Sequence, residues 1–258
     1  MFRSFKVLAV VGALAALGAC GSDSGTSGKS SAPAPDAKRV DAATAASITG
    51  KVLLDGTAPA ATVIKTGSDP TCAEGNKGDL KTETFVVDSG GLENVFVYVK
   101  DGLGNKYIFD TPTSPVVLDQ KGCHYVPHVA GVRAGQPLQI LNSDNTMHNI
   151  HGMPQTNREF NFGEPVAGMK QNTTFTAPEV LIPFKCDVHG WMNAYIGVVD
   201  NPYFAVTANG GAFELKTIPP GTYTIEAVHE KLGRQTQQVT LGEKDAKEIT
   251  FTFKAPSQ

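Results

Sequence analysis

Three residues in one short run could share a metal ion: Cys186, His189 and Met192, within Phe184-Lys185-Cys186-Asp187-Val188-His189-Gly190-Trp191-Met192. Val180-Leu181-Ile182 precedes the run. In an extended strand Ile182, Phe184 and Cys186 share one face, so the thiol emerges at the end of a buried row. A compact loop after such a strand can bring a thiolate, an imidazole and a thioether to one point. With a second imidazole, this is the donor set of type 1 (blue) copper: two His and one Cys roughly trigonal, with a weak axial Met. His148, in Asn142-Ser143-Asp144-Asn145-Thr146-Met147-His148-Asn149, supplies that imidazole from far enough upstream for a strand to leave and another to return. The bland alternative is a buried inert cysteine beside unrelated His and Met, since Cys and Met are common core fillers. Met147, Met153 and Met169 are other thioethers in reach of such a site, but the loop spacing favours Met192.

The pattern C-x2-H-x2-M at the end of an apolar alternating run, with N-x-D-x3-H-N upstream, resembles the cupredoxin family, and the loop is most similar to that of its amicyanin and plastocyanin members. The resemblance covers roughly residues 112–200. It implies a Greek-key β-sandwich holding one type 1 copper, and one-electron transfer between Cu(I) and Cu(II). It also implies that Asn149 ties the two ligand loops together by hydrogen bonds, as metal ligands need outer support. His189 would break the surface in an apolar patch where redox partners dock. Trp191 would lie either in that patch or beneath the loop.

Related chemistries lack their residues. In multicopper oxidases histidines flank the cysteine, whereas Lys185 and Asp187 flank Cys186. A dinuclear copper centre needs two cysteines in one loop, and zinc favours a closed Cys/His set over a thioether. No zinc-peptidase pattern occurs. His124, His128 and His151 could assemble a second metal site, while His229 reads as a satisfied, partly buried strand residue.

The 258 residues suffice for one large or two modest domains. A formal net charge of -3 and 18% charged residues give no basic surface for nucleic acid. Arg3 and Lys6 precede an apolar run from Val7 to Leu17 that is too short to span a membrane. The run ends in Leu17-Gly18-Ala19-Cys20, which resembles a bacterial lipobox. That resemblance implies cleavage before Cys20, lipidation of its thiol and an extracytoplasmic, membrane-anchored protein; an ordinary secretory signal is the alternative. An exported compartment permits disulfides. With Cys20 assigned to lipid and Cys186 to metal, Cys72 and Cys123 remain as the natural pair. Residues 21–45, poor in large apolar side chains, read as a disordered tether.

The elements that must hold this chemistry read as strands. Glycine (27) and proline (16) are plentiful, and short Val/Thr/Phe-rich runs lie between turn residues. The spacing predicts strands over 48–54, 85–87, 94–99, 115–118, 128–132 and 136–142, with Leu138, Ile140 and Asn142 on one face. After the copper motif come 203–207 and 212–218 around Asn209-Gly210, a hairpin signal, then 223–227, 238–241 and 249–253. The C-terminal stretch around Ile218-Pro219-Pro220-Gly221 to Ala227 resembles the carboxypeptidase regulatory-like (transthyretin-like) β-sandwich, a module without peptidase chemistry of its own. Such modules open with strands like 48–52 and 95–99.

The expectation is therefore an all-β chain. Residues 1–20 would be a signal peptide and 21–45 a tether. Residues 46–111 with 201–256 would form one sandwich, and 112–200 a cupredoxin inserted into it. The expected function is electron transfer between extracytoplasmic partners, not catalysis. Copper storage, delivery or sensing is the competing reading.

Overall fold

The computed structural model describes Met1, residues 33–78 and residues 80–257. The expected signal peptide, Cys20 and the first part of the tether lie outside the described residues. Among the described residues the fold is all-β apart from one short helix. The chain begins with β1 (Ala46–Asp55), α1 (Pro70–Asn76), β2 (Val87–Asp88), β3 (Gly91–Leu92) and β4 (Phe96–Asp101). Its middle holds β5 (Val116–Gln120), β6 (Tyr125–Val126), β7 (Val129–Arg133), β8 (Pro137–Asn142), β9 (His148–Gly152), β10 (Phe160–Glu164), β11 (Lys170–Thr174), β12 (Glu179–Lys185) and β13 (Asn193–Val199). It ends with β14 (Phe204–Val206), β15 (Ala212–Ile218), β16 (Gly221–His229), β17 (Gly233–Leu241) and β18 (Ala246–Lys254).

The two ends of the chain share sheets. β1 lies antiparallel to β15 and parallel to β18. The order β14-β4-β16-β17 makes a second sheet. Alternation explains the packing: Ile48, Val52 and Leu54 point inward from β1 and meet Ile225, Ala227, Phe251 and Phe253 in one apolar core. The middle strands make their own pair of sheets, β10-β9-β12-β13-β7 and β11-β8-β5-β6. Leu138, Ile140 and Asn142 all face inward from β8 and are fully buried. Leu138 and Ile140 pack with Ile150, Ile182, Phe184 and Ile196 in a second core.

The two cores touch through aromatic rings seated on glycine. Gly131 of β7 and Gly197 of β13 are register partners. A Cβ on Gly197 would lie 2.5 Å from the Phe96 ring, and one on Gly131 2.4 Å from the Phe204 ring. Only a residue without a side chain lets Phe96 of β4 and Phe204 of β14 lie flat on this sheet.

Two expectations need correction. First, ordered structure starts before residue 46: Lys38 bridges Tyr107, Ala34 N–H donates to the Asn105 carbonyl, and Arg39 pairs with Asp110 at 2.5 Å. Part of the segment expected as a tether is therefore ordered, because pairing of residues 34–39 with 105–110 supplies the order that apolar burial does not. Second, Asn209 and Gly210 do adopt positive φ (49° and 74°), but the strands they join pair with β4 and β1, in different sheets. The turn closes with a single Ala208–Ala212 bridge, and the Gly211 carbonyl instead accepts from Val52 N–H. The Asp69-Pro70 stretch opens α1, where Asp69 caps the helix and Pro70 occupies its first turn.

Candidate metal centre

β12 delivers Cys186 as its alternation dictates: Ile182, Phe184 and Cys186 are each about 1% exposed. The loop then folds back on itself. Cys186 N–H donates to the Met192 carbonyl, Met192 N–H to the His189 carbonyl, and His189 N–H to the Cys186 sulfur at 3.3 Å. β9 starts at His148 and runs beside β12. Asn149 joins the two segments: its Oδ1 accepts from Asp187 N–H at 2.5 Å and its Nδ2 donates to Asn161 and Asp187.

Cys186 Sγ and one nitrogen from each of His148 and His189 lie within 4.8 Å of one another, all buried. The two Nδ1 atoms face each other at 3.0 Å, with the rings at 71°. Met192 is buried in the same core. The other thioethers do not share this place, since Met147 is 48% exposed and Met153 and Met169 are half-buried on other segments.

The distal nitrogens are committed elsewhere. His148 Nε2 lies 2.9 Å from Asp144 Oδ2, and His189 Nε2 lies 3.2 Å from Asp69 Oδ2. Burial pushes both carboxyls up, but their hydrogen bonds outweigh it. Asp144 accepts from His148 and from Cys123 and Gly122 N–H, and Asp69 from Thr146, Cys72 N–H and His189; both stay below the usual range. An ionised carboxylate only accepts, so each Nε2 carries a hydrogen and each Nδ1 is the nitrogen turned to the site.

Protonation follows from this. Burial opposes charge on His148, yet Asp144 and Cys186 more than compensate, and it is pushed up to about 9. His189 is lowered by burial and by its neighbour His148, against the pull of Asp69. Burial likewise opposes the Cys186 thiolate. The hydrogen bond from His148 and the backbone N–H groups of Asn149, His189 and Val188 still hold the thiol below its ordinary value. Two imidazole nitrogens thus face each other beside a thiol whose ionisation is eased. Two nitrogens and a soft sulfur converging on one cation are the donor chemistry that copper takes, so the residues present fit that metal.

Cys72 and Cys123 form a disulfide that roofs the site. Cys72 Sγ is 3.9 Å from His189 Nε2. Trp191 is half-buried beneath the same roof, 5.0 Å from the His189 ring, with Nε1–H donating to the Cys123 carbonyl. His189 consequently does not break the surface: it is 3% exposed, covered by Asp69, Cys72 and Trp191. The expectation failed because part of this cover, Asp69 and Cys72, comes from far outside the ligand motif. Asp144 stands within the N-x-D-x3-H-N run, four positions before His148. No sequence pattern tied Asp69 to His189, and its local signal was Asp-Pro before α1.

The other histidines do not gather into a second site. His124 Nδ1 meets the Gly122 carbonyl, His128 Nε2 meets Glu230 at 2.6 Å, and His151 bridges Asp187 and Glu159. His229 is buried, accepting from Lys231 and Leu232 N–H, while its Nε2 has no partner. Buried Glu164, the register partner of His148 in β10, accepts from Gln120 Nε2 and is pushed above the usual carboxylate range by burial.

Among the described residues no helix is long and apolar enough to cross a membrane. No protein-family model matches the chain, and no curated sequence does. Solved structures that resemble parts of it include a copper-containing nitrite reductase, amicyanin variants and a purple cupredoxin. A copper-containing nitrite reductase from Thermus scotoductus SA-01 matches at 22% identity and TM-score 0.31, over 37% of this chain and 24% of that one. A Cu(I) amicyanin variant matches at 20% identity and TM-score 0.29, over 33% of this chain and 81% of that one. A purple cupredoxin from Nitrosopumilus maritimus matches at 18% identity and TM-score 0.27, over 33% of this chain and 98% of that one.

Proposed function

We propose that the chain is a mononuclear type 1 copper protein that passes single electrons between extracytoplasmic redox partners, with His148, Cys186, His189 and Met192 as ligands. The observation that carries this reading is the facing pair of Nδ1 atoms, 3.0 Å apart and buried beside the Cys186 sulfur. When bound, copper would supply a Cu(I)/Cu(II) couple. The residues supply the rest. Cys186 and His148 give up their protons to metal, so loading releases protons. Asn149 and the backbone bonds of the 186–192 loop fix ligand positions, and the buried surroundings exclude water. A scaffold that does not rearrange between oxidation states reduces the cost of each transfer.

On this reading the chain carries out no catalysis. Residues 112–200 are a cupredoxin inserted into a transthyretin-like sandwich of 46–111 and 201–256, and Cys20 holds the protein to a bacterial membrane through lipid. Partners dock over His189, on the cover formed by Trp191 and α1.

Visible and paramagnetic-resonance spectra of the Cu(II)-loaded protein test the reading, with Cys186→Ser as control. An intense thiolate-to-copper band that bleaches reversibly with reductant and vanishes in Cys186→Ser is expected. Binding of Cu(I) alone, without that band, would instead indicate storage or delivery.

A further inference from the structure

We propose that Asp69 and Asp144 are the positioning residues of this centre: each grips one histidine by its distal nitrogen, aims its Nδ1 at the metal, and favours Cu(II) over Cu(I). The inference rests on the copper reading above and adds two residues that are not among its ligands.

The geometry is a matched pair. Asp144 lies 2.9 Å from His148 Nε2 and Asp69 lies 3.2 Å from His189 Nε2. Each carboxylate is itself held. Asp144 accepts from Gly122 and Cys123 N–H, both at 2.7 Å. Asp69 accepts from Cys72 N–H at 3.0 Å and from Thr146 Oγ1 at 2.7 Å. The two holders are one object, because Cys72 and Cys123 are joined by the disulfide and Asn76 Nδ2 donates to the Gly122 carbonyl at 3.0 Å. A single stapled bracket therefore grips both imidazoles from outside.

Two effects follow from elementary electrostatics. A carboxylate accepting the distal N–H fixes the tautomer and makes the ligating nitrogen more basic, and such partners typically contribute 10–100-fold in metal affinity. Two anions held close to the metal also stabilise the more highly charged ion. Both effects strengthen Cu(II) binding more than Cu(I) binding.

The competing role is structural, with Asp69 merely capping α1 and Asp144 merely closing a turn. Substitutions separate the two. Asp69→Ser retains a helix cap but is too short to reach His189. Asp144→Asn keeps the side-chain length and one acceptor oxygen for the turn, and removes the charge. Asp69→Asn serves as a second variant that keeps both cap and length.

Copper affinity, reduction potential and the paramagnetic-resonance spectrum would be measured on the full disulfide-bonded protein and each variant, with the melting temperature of the metal-free forms alongside. Expected are a roughly 10–100-fold loss of Cu(II) affinity for Asp69→Ser and for Asp144→Asn. The potential should rise by about 59 mV for each tenfold loss of Cu(II) relative to Cu(I) affinity. Asp69→Asn should show a smaller shift of the same sign. Variants that melt earlier but keep wild-type potential and affinity would overturn the proposal. A wild type without any thiolate-to-copper band would overturn the copper reading itself, and this assignment with it.

Discussion

Each sandwich buries a polar cluster, and the two clusters are built to opposite ends. Between β4, β16 and β17, Glu226 is enclosed, its side chain 1% exposed. Its carboxylate accepts from Tyr98 Oη at 2.6 Å, Lys100 Nζ at 2.6 Å and Arg234 at 2.8 Å. Every charge there has a partner within the protein. In the middle sandwich, His148 and His189 turn like nitrogens toward each other beside the Cys186 sulfur. A metal ion would serve all three donors. A closed cluster contributes to stability. An open one, held rigid from outside, is suited to a guest.

The largest expected effect would break the comparison at the metal. If the middle cluster is built for copper, saturating Cu(II) at about a thousand times Kd should stabilise the protein by about 4 kcal/mol in denaturant titrations. Cys186→Ser should remove most of that gain. Equal stabilisation of wild type and Cys186→Ser would place the metal elsewhere.

Next in size is the closed cluster. Glu226→Ala strands Tyr98 and two cations and should cost about 2–3 kcal/mol; that is below the value for a fully buried pair, because Lys100 and Arg234 are half in water. The copper band should not move. A shifted band in Glu226→Ala would show that the two clusters are coupled through the junction.

The junction itself gives a smaller effect. Gly197→Ala forces a Cβ into the Phe96 ring and should cost about 1–2 kcal/mol in chemical unfolding. A neutral result would mean that the two cores separate more easily than their contact implies.

Acid should produce the smallest change. Burial pushes the Glu226 carboxyl up, but Lys100, Tyr98 and Arg234 hold it below its ordinary value. A depressed folded value contributes stability above the unfolded value near 4.5, and that contribution disappears as pH falls through the folded one. Unfolding midpoints of wild type and Glu226→Gln should therefore draw together as pH falls below the unfolded value near 4.5. Parallel profiles would remove Glu226 from the account.

What could be read from the residues alone was local. Period-two alternation located β8 and β12 and put Asn142 and Cys186 on their buried faces, because strand geometry allows each side chain only two directions. The short spacing of Cys186, His189 and Met192 was enough to name a donor set, since a loop of that length has few ways to fold. Pairing Cys72 with Cys123 followed from counting.

Tertiary structure decided everything that depends on chain segments meeting from afar. It paired β1 with both β15 and β18 and carried α1 across to the ligand loop. It also buried His189, which the motif alone would have left at the surface. Asp69 stands 120 positions from the imidazole it grips, and no periodicity or motif reaches that far. Spacing can say which atoms are able to bind a metal. Their protonation, aim and exposure are set by whatever packs behind them, and that is known only once the chain has closed.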